Sequence, residues 1–135
     1  MKLKQLYITA SLILLAAISM QAQNQQDIQT QIITIGGKSG GEAHKNQLLH
    51  AGGLKFIYKD STGYEVTGFR MTVVKHNAGT TEFTNPQNGM LTEAMREALA
   101  GCVAGDKVYF EYISYVRPDG VHLKHTALSF VITGS

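Results

Sequence analysis

The sequence has one cysteine, two prolines and no tryptophan in 135 residues. A single thiol cannot staple a small domain, and it cannot supply a Cys-rich zinc site. Few prolines together with 44% hydrophobic residues exclude a disordered or collagen-like polymer. Charge of one sign is also scarce, with 12 Lys+Arg against 10 Asp+Glu. Two of those positives, Lys2 and Lys4, flank an N-terminal apolar run, and the remaining residues balance at 10 against 10. A neutral chain lacks the basic surplus from which sequence-independent nucleic-acid binding draws its affinity, so no nucleic-acid partner is expected. Long apolar stretches are missing too. The run from Leu6 to Met20 is shorter than the roughly 17–25 residues of a spanning helix.

That run is the first feature present. Lys2 and Lys4 form a positive start, Leu6 to Ile18 an apolar core, and Ser19-Met20-Gln21-Ala22 leads into a polar stretch, the three parts of a secretory signal. Residues 1–22 are therefore expected to be a signal peptide, 23–30 a Gln-rich lead-in and 31–135 one domain, periplasmic or secreted. No stable membrane span is expected after cleavage. The alternative is a retained leader acting as an anchor.

Gln31 to Ile35 reads as a short β-branched strand, stopped by Gly36-Gly37-Lys38-Ser39-Gly40-Gly41, a glycine-rich connection. Ala43 to Ala51 predicts a brief helix with Leu48 and Leu49 inward, ended by Gly52-Gly53. Leu54 to Lys59 predicts a strand, followed by a turn over residues 60–63. From Tyr64 to His76, Phe69, Met71 and Val73 alternate with Gly68, Arg70 and Thr72, the period of a strand with one buried face. Tyr64 and Val66 have the other parity, which asks for a bulge near Gly68. Thr80 to Thr84 predicts another strand. Thr92 to Ala100 is the strongest helix: Thr92 caps it, Met95, Ala98, Leu99 and Cys102 form its apolar stripe, and Gly101 is expected in the terminal left-handed position. Lys107 to Arg117 and Val121 to Thr133 form a hairpin across Arg117-Pro118-Asp119-Gly120, with a bulge or kink near His125. About six strands without regular βαβ alternation predict a mainly β, mostly antiparallel sheet or sandwich with one or two short helices.

Chemistry-bearing patterns are sparse. Ile32 stands where a phosphate-binding loop ending at Lys38-Ser39 would need glycine, so that motif is not formed. His122 and His125, three apart on a strand, point to opposite faces and converge on a metal only through a bulge. Cys102 sits on an apolar stripe and reads as a small buried residue, not as a nucleophile. No paired carboxylates or nucleophile elbow appear. The expectation is a non-catalytic protein without metal or cofactor. The alternative is a small metal-binding or enzymatic protein using His122, His125 or Cys102. Tyr109, Tyr112 and Tyr115 form an aromatic strip on one strand, with 109 and 115 expected on one face and 112 on the other. Tyrosine favours interfaces because it combines contact area with a hydrogen-bonding tip.

The order of features resembles a known family. The strand before Gly36-Gly37-Lys38-Ser39-Gly40-Gly41, the helix ending at Ala51-Gly52-Gly53, Phe69-Arg70-Met71-Thr72-Val73, the helix opened by Thr92, Gly105-Asp106-Lys107-Val108-Tyr109-Phe110-Glu111, Arg117-Pro118-Asp119-Gly120 and Leu128-Ser129-Phe130 together resemble the C-terminal periplasmic domain of GldM (PorM). The likeness spans roughly residues 32–133. It implies an immunoglobulin-like β-sandwich in a Bacteroidetes cell envelope and a protein-binding role linked to gliding motility or type IX secretion, here in a stand-alone exported domain. The implied partner is another envelope protein, such as a secretion-system component. A structural homo-oligomer, in which the chain is its own partner, is the other alternative. Lys38, Ser39, Tyr109, Tyr112 and Tyr115 are the candidate interaction surface.

Overall fold

Alternating apolar residues on three long segments build one sheet face, and the rest of the fold covers it. A computed structural model describes residues 31–58 and 61–134. The expected signal peptide and lead-in, Lys59 and Asp60 of the strand and turn after Leu54, and Ser135 lie outside the described residues. The elements are β1 (Ile33–Thr34), β2 (Gly40–Ala43), α1 (Lys45–Ala51), β3 (Lys55–Phe56), β4 (Glu65–Lys75), β5 (Gly79–Asn85), α2 (Glu93–Ala100), β6 (Lys107–Val116), β7 (His122–His125) and β8 (Leu128–Ile132). The domain is mainly β with two short helices, as its patterning predicts.

The main sheet has six strands in the order β2-β8-β6-β4-β5, with β7 also paired to β6, and β1 and β3 form a separate two-stranded sheet. All pairings are antiparallel except β2 with β8. Met71 lies opposite Phe110 and Val73 opposite Val108, while Val108 faces Phe130 across the next strand. These directly paired residues share one face. They join Leu48 of α1 and Met95 and Leu99 of α2 in a single core cluster. Removing this apolar area from water, at about 25 cal/mol per Å², is the main stabilising term.

Two bulges position everything that follows. Val66 pairs with Tyr115, Gly68 with Ser114 and Arg70 with Glu111, so β4 carries an extra residue at Thr67 and β6 an extra residue near Tyr112. The expected irregularity at Gly68 is present, and β6 supplies its compensation. Tyr112 has φ 51°, the one positive value at a non-glycine residue among the described residues. Val121 to Thr133 divides into β7 and β8, with the break at Thr126-Ala127 falling opposite this bulge. The expected kink near His125 therefore answers a change of parity in β6.

Three expectations are corrected. Gly101 is right-handed (φ −82°), and its N–H donates to the carbonyl of Glu97 3.1 Å away. A left-handed residue is not needed where the amide is satisfied in this way. The described residues also form eight strands, not about six. The missed strand β2 lies inside the supposed glycine-rich connection: Gly36-Gly37 makes the turn, with Ile35 and Lys38 bonding across it, and Gly40-Gly41 then run beside Ser129-Phe130. Main-chain hydrogen bonds hold this strand, so side-chain periodicity could not reveal it. Close approach explains the glycine at position 40, where φ is 154° and an added Cβ would stand 3.0 Å from the Ser129 carbonyl oxygen. Gly40→Ala is expected to loosen the β2–β8 pairing and cost about 1–3 kcal/mol. Urea denaturation would measure it, and an unchanged midpoint would contradict the close-approach account.

Candidate functional site: the open sheet face

The bulge at Tyr112 divides the predicted tyrosine strip. Tyr109 pairs with Thr72 and is half-buried. Tyr112 is 68% exposed. Tyr115 is 6% exposed, with its ring 5.8 Å from that of Phe56. The expectation that residues 109 and 115 share a face is wrong, because the left-handed residue between them reverses the alternation. Tyr115 belongs to the core. Lys38 and Ser39 lead into edge strand β2, which β8 separates from β6, so they do not join the tyrosines. Lys38 Nζ instead donates to the Glu42 carbonyl at 2.8 Å.

The structure brings other side chains to Tyr112. On the face opposite the core, Arg70 Nη2 donates to Glu111 Oε2 at 2.8 Å and Nε donates to the same oxygen at 3.3 Å. The Thr72 hydroxyl donates to that oxygen at 3.2 Å, and Arg70 Nη1 lies 3.6 Å from Glu82. The guanidinium carbon stands 4.3 Å from the centroid of the Tyr112 ring. At this exposure such a contact is worth about 0.5–1 kcal/mol, enough to orient a ring. The hydrogen bond to Glu111 outweighs desolvation and, with help from Glu82, pushes the Arg70 pKa further up, so the guanidinium keeps its charge. Beside this cluster lies a groove of about 540 Å³ whose walls include Thr67, Arg70, Thr84, Pro86, Tyr112 and Ser114.

Sequence reading missed Arg70, Glu82 and Glu111 as a group. The alternation around Phe69-Arg70-Met71 places Arg70 away from the core. Only the register of β5, β4 and β6 brings the two carboxylates to it.

A buried network fixes the opposite end of the sheet. Asp106 is fully buried; its two carboxylate oxygens accept from the backbone N–H of His76 and of Val103, each at 2.9 Å, and Lys75 lies 3.2 Å away. Burial alone would raise the Asp106 pKa. The Val103 and His76 amides and the Lys75 ammonium outweigh it and hold the carboxyl below its ordinary range. Lys75 also bonds to the Gly101 carbonyl, and Lys45 donates to the Ala100 carbonyl at 2.9 Å, so two cations meet the C-terminus of α2.

His122 is exposed on β7. The ring of His125 is used at both nitrogens: Nε2 accepts from Ile33 N–H at 3.1 Å, which leaves Nδ1 to donate to the Thr126 carbonyl at 2.7 Å. Cys102 is fully buried, and its thiol donates to the Ala98 carbonyl at 3.4 Å. Burial pushes its pKa up, which favours the thiol over the thiolate. Among the described residues no three His, Cys, Asp or Glu side chains are placed to hold a metal ion, and no helix is long and apolar enough to cross a membrane.

Compared with known proteins, the chain matches no protein-family model. No curated protein is similar to it in sequence.

Proposed function

We propose that the chain is a non-catalytic, exported protein-binding module of the bacterial cell envelope, and that the open sheet face around Tyr112 meets its partner. The carrying observation is Tyr112 itself. A bulky residue in the left-handed region costs about 1–2 kcal/mol, and glycine or asparagine would fill that position more cheaply. The strain displays an aromatic ring to solvent under a paired guanidinium, and exposed Tyr and Arg are the side chains that most often dominate binding energy. The secretory leader supports export. The resemblance to the C-terminal GldM (PorM) domain supports an envelope partner in gliding motility or type IX secretion. It also brings the immunoglobulin-like sandwich: β1 and β3 stand for its second sheet, and Ile33 packs into the same core as the six-stranded sheet.

A photo-crosslinking residue in place of Tyr112, expressed in the native organism, tests the reading. One reproducible envelope protein should be captured from position 112 and none from a second crosslinker at Val103, an exposed residue in the loop after α2. Tyr112→Gly should lower retention of that protein about tenfold or more while leaving folding stability within about 1 kcal/mol, since strain relief offsets the lost ring contact. Capture from both positions alike, or from neither, would remove the proposal.

A further inference from the structure

Resting on the binding-module reading, we infer that the partner engages this domain by strand addition: an extended segment pairs with the outer edge of β5 and continues the six-stranded sheet. β5 is the last strand in the sheet order, and among the described residues nothing pairs with its outer side. Every second residue of such an edge directs its main-chain N–H and C=O away from the sheet. Regularly spaced main-chain donors and acceptors match another extended backbone and little else, so the edge itself defines the chemistry of its occupant.

Comparison of the two ends of the sheet supports this choice. The β2 edge is four residues long, contains Gly40 and Gly41, and has a lysine, Lys38, bonded to its Glu42 carbonyl. Short length and an edge lysine are the usual protections against pairing. β5 has neither. Its seven residues, Gly79-Thr80-Thr81-Glu82-Phe83-Thr84-Asn85, include three threonines and a phenylalanine, no lysine, no arginine and no proline. β-Branched and aromatic residues favour pairing. The strand is also held ready at its end: Asn85 Oδ1 accepts from the N–H of Gln87 and Asn88, and its Nδ2 donates to the Met90 carbonyl at 2.8 Å.

Charge decides between a second copy and a different chain. Glu82 is the middle residue of β5 and its side chain is 56% exposed. Two β5 strands paired antiparallel over their full length would set Glu82 against its own copy, and like charges directly opposite are destabilising. A different polypeptide with Lys or Arg opposite Glu82 gains attraction instead. Arg70 satisfies Glu82 only at 3.6 Å, and Arg70 already bonds to Glu111. The added strand would lie beside the groove walled by Thr84 and Tyr112, so edge and ring form one continuous surface. The segment inferred is extended, rich in β-branched residues, and basic at its centre.

The probe is a synthetic seven-residue peptide of alternating Thr and Val with Lys at its centre, titrated into isotope-labelled full chain and followed by NMR. Shift changes and slowed amide exchange are expected along β5 and at Tyr112. A peptide with alternate backbone nitrogens methylated should bind at least tenfold more weakly, and Glu82→Lys should weaken the parent peptide while strengthening a peptide with Glu at its centre. Absence of binding, binding elsewhere, or equal binding of the methylated peptide would overturn the inference. So would light scattering that shows a dimer broken by Glu82→Lys, since the edge would then belong to a second copy. Any of these results together with intact crosslinking from position 112 would sink strand addition alone, whereas loss of that crosslinking would sink the binding-module reading itself.

Discussion

Asp106→Ala is expected to cost about 3–5 kcal/mol, a large part of the 5–15 kcal/mol that holds a domain of this size together. The carboxylate ties the end of β4 to its own turn after α2. It accepts from His76 at the end of β4, accepts from Val103 after α2, and faces Lys75. Its own main chain bonds to β8 as well, where Ile132 N–H donates to the Asp106 carbonyl at 2.8 Å. Removing the side chain leaves two part-buried amides without their acceptor and Lys75 without its carboxylate. Asp106→Asn keeps one acceptor and should lose less, about 2 kcal/mol. The pH dependence has a definite sign. The folded pKa of Asp106 is depressed, so its contribution is complete above the unfolded value of roughly 4 and is lost as pH falls through the lower folded value. Urea midpoints measured between pH 6 and pH 2 should fall in the acidic half of that range, and the Asn variant should flatten the fall. A wild-type midpoint constant over that range would contradict this account.

Gly53→Ala is expected to cost about 3 kcal/mol or more, through close approach of two backbones and not through φ. A Cβ on residue 53 would stand 2.5 Å from the Gly89 carbonyl oxygen and 2.9 Å from the Met90 Cα. Real Cβ atoms do not sit so near backbone, so the 89–91 segment would have to withdraw. That withdrawal breaks the bonds from Leu54 N–H to the Gly89 carbonyl at 2.8 Å and from Leu91 N–H to the Gly52 carbonyl at 2.9 Å. Leu54 and Leu91 are both core residues and would lose packing in consequence. Gly52→Ala makes an informative contrast. Position 52 is left-handed (φ 74°), and its added Cβ would meet only the Arg96 guanidinium, 3.5 Å away. Its cost should be that of the left-handed conformation alone, about 1–2 kcal/mol. Equal losses at the two positions would show that steric contact at residue 53 is not the cause.

The glycine pair illustrates how far local sequence reaches. Gly52-Gly53 is legible as a helix stop, and Gly52 is indeed the left-handed cap of α1. That the second glycine is needed for contact with residues 89 and 90, far along the chain, is not legible. The same limit applies to Asp106. In the sequence it is a turn residue between Gly105 and Lys107; in the fold it is a fully buried acceptor. One amide donor, Val103, lies in its own turn three residues back, but the other, His76, and the ammonium of Lys75 reach it only because β4 pairs with β6.

Local alternation and capping determined the parts of this domain that depend on near neighbours. The buried face of β4, the capped helix after Thr92, the turn at Pro118-Asp119 and the presence of a bulge near Gly68 all follow from residues a few positions apart. Those signals work because side-chain direction repeats every two residues in a strand and every 3.6 in a helix. Tertiary structure decided what depends on register. Paired bulges at Thr67 and Tyr112 turned Tyr115 inward, left Tyr112 outward and placed Arg70 between Glu82 and Glu111. A one-residue shift in pairing moves a side chain to the other face, and register is set by contacts between strands distant in sequence. The scarcity of cysteine, proline and charge of one sign thus narrowed the class of protein, whereas the composition of its exposed face arose only when three strands were laid side by side.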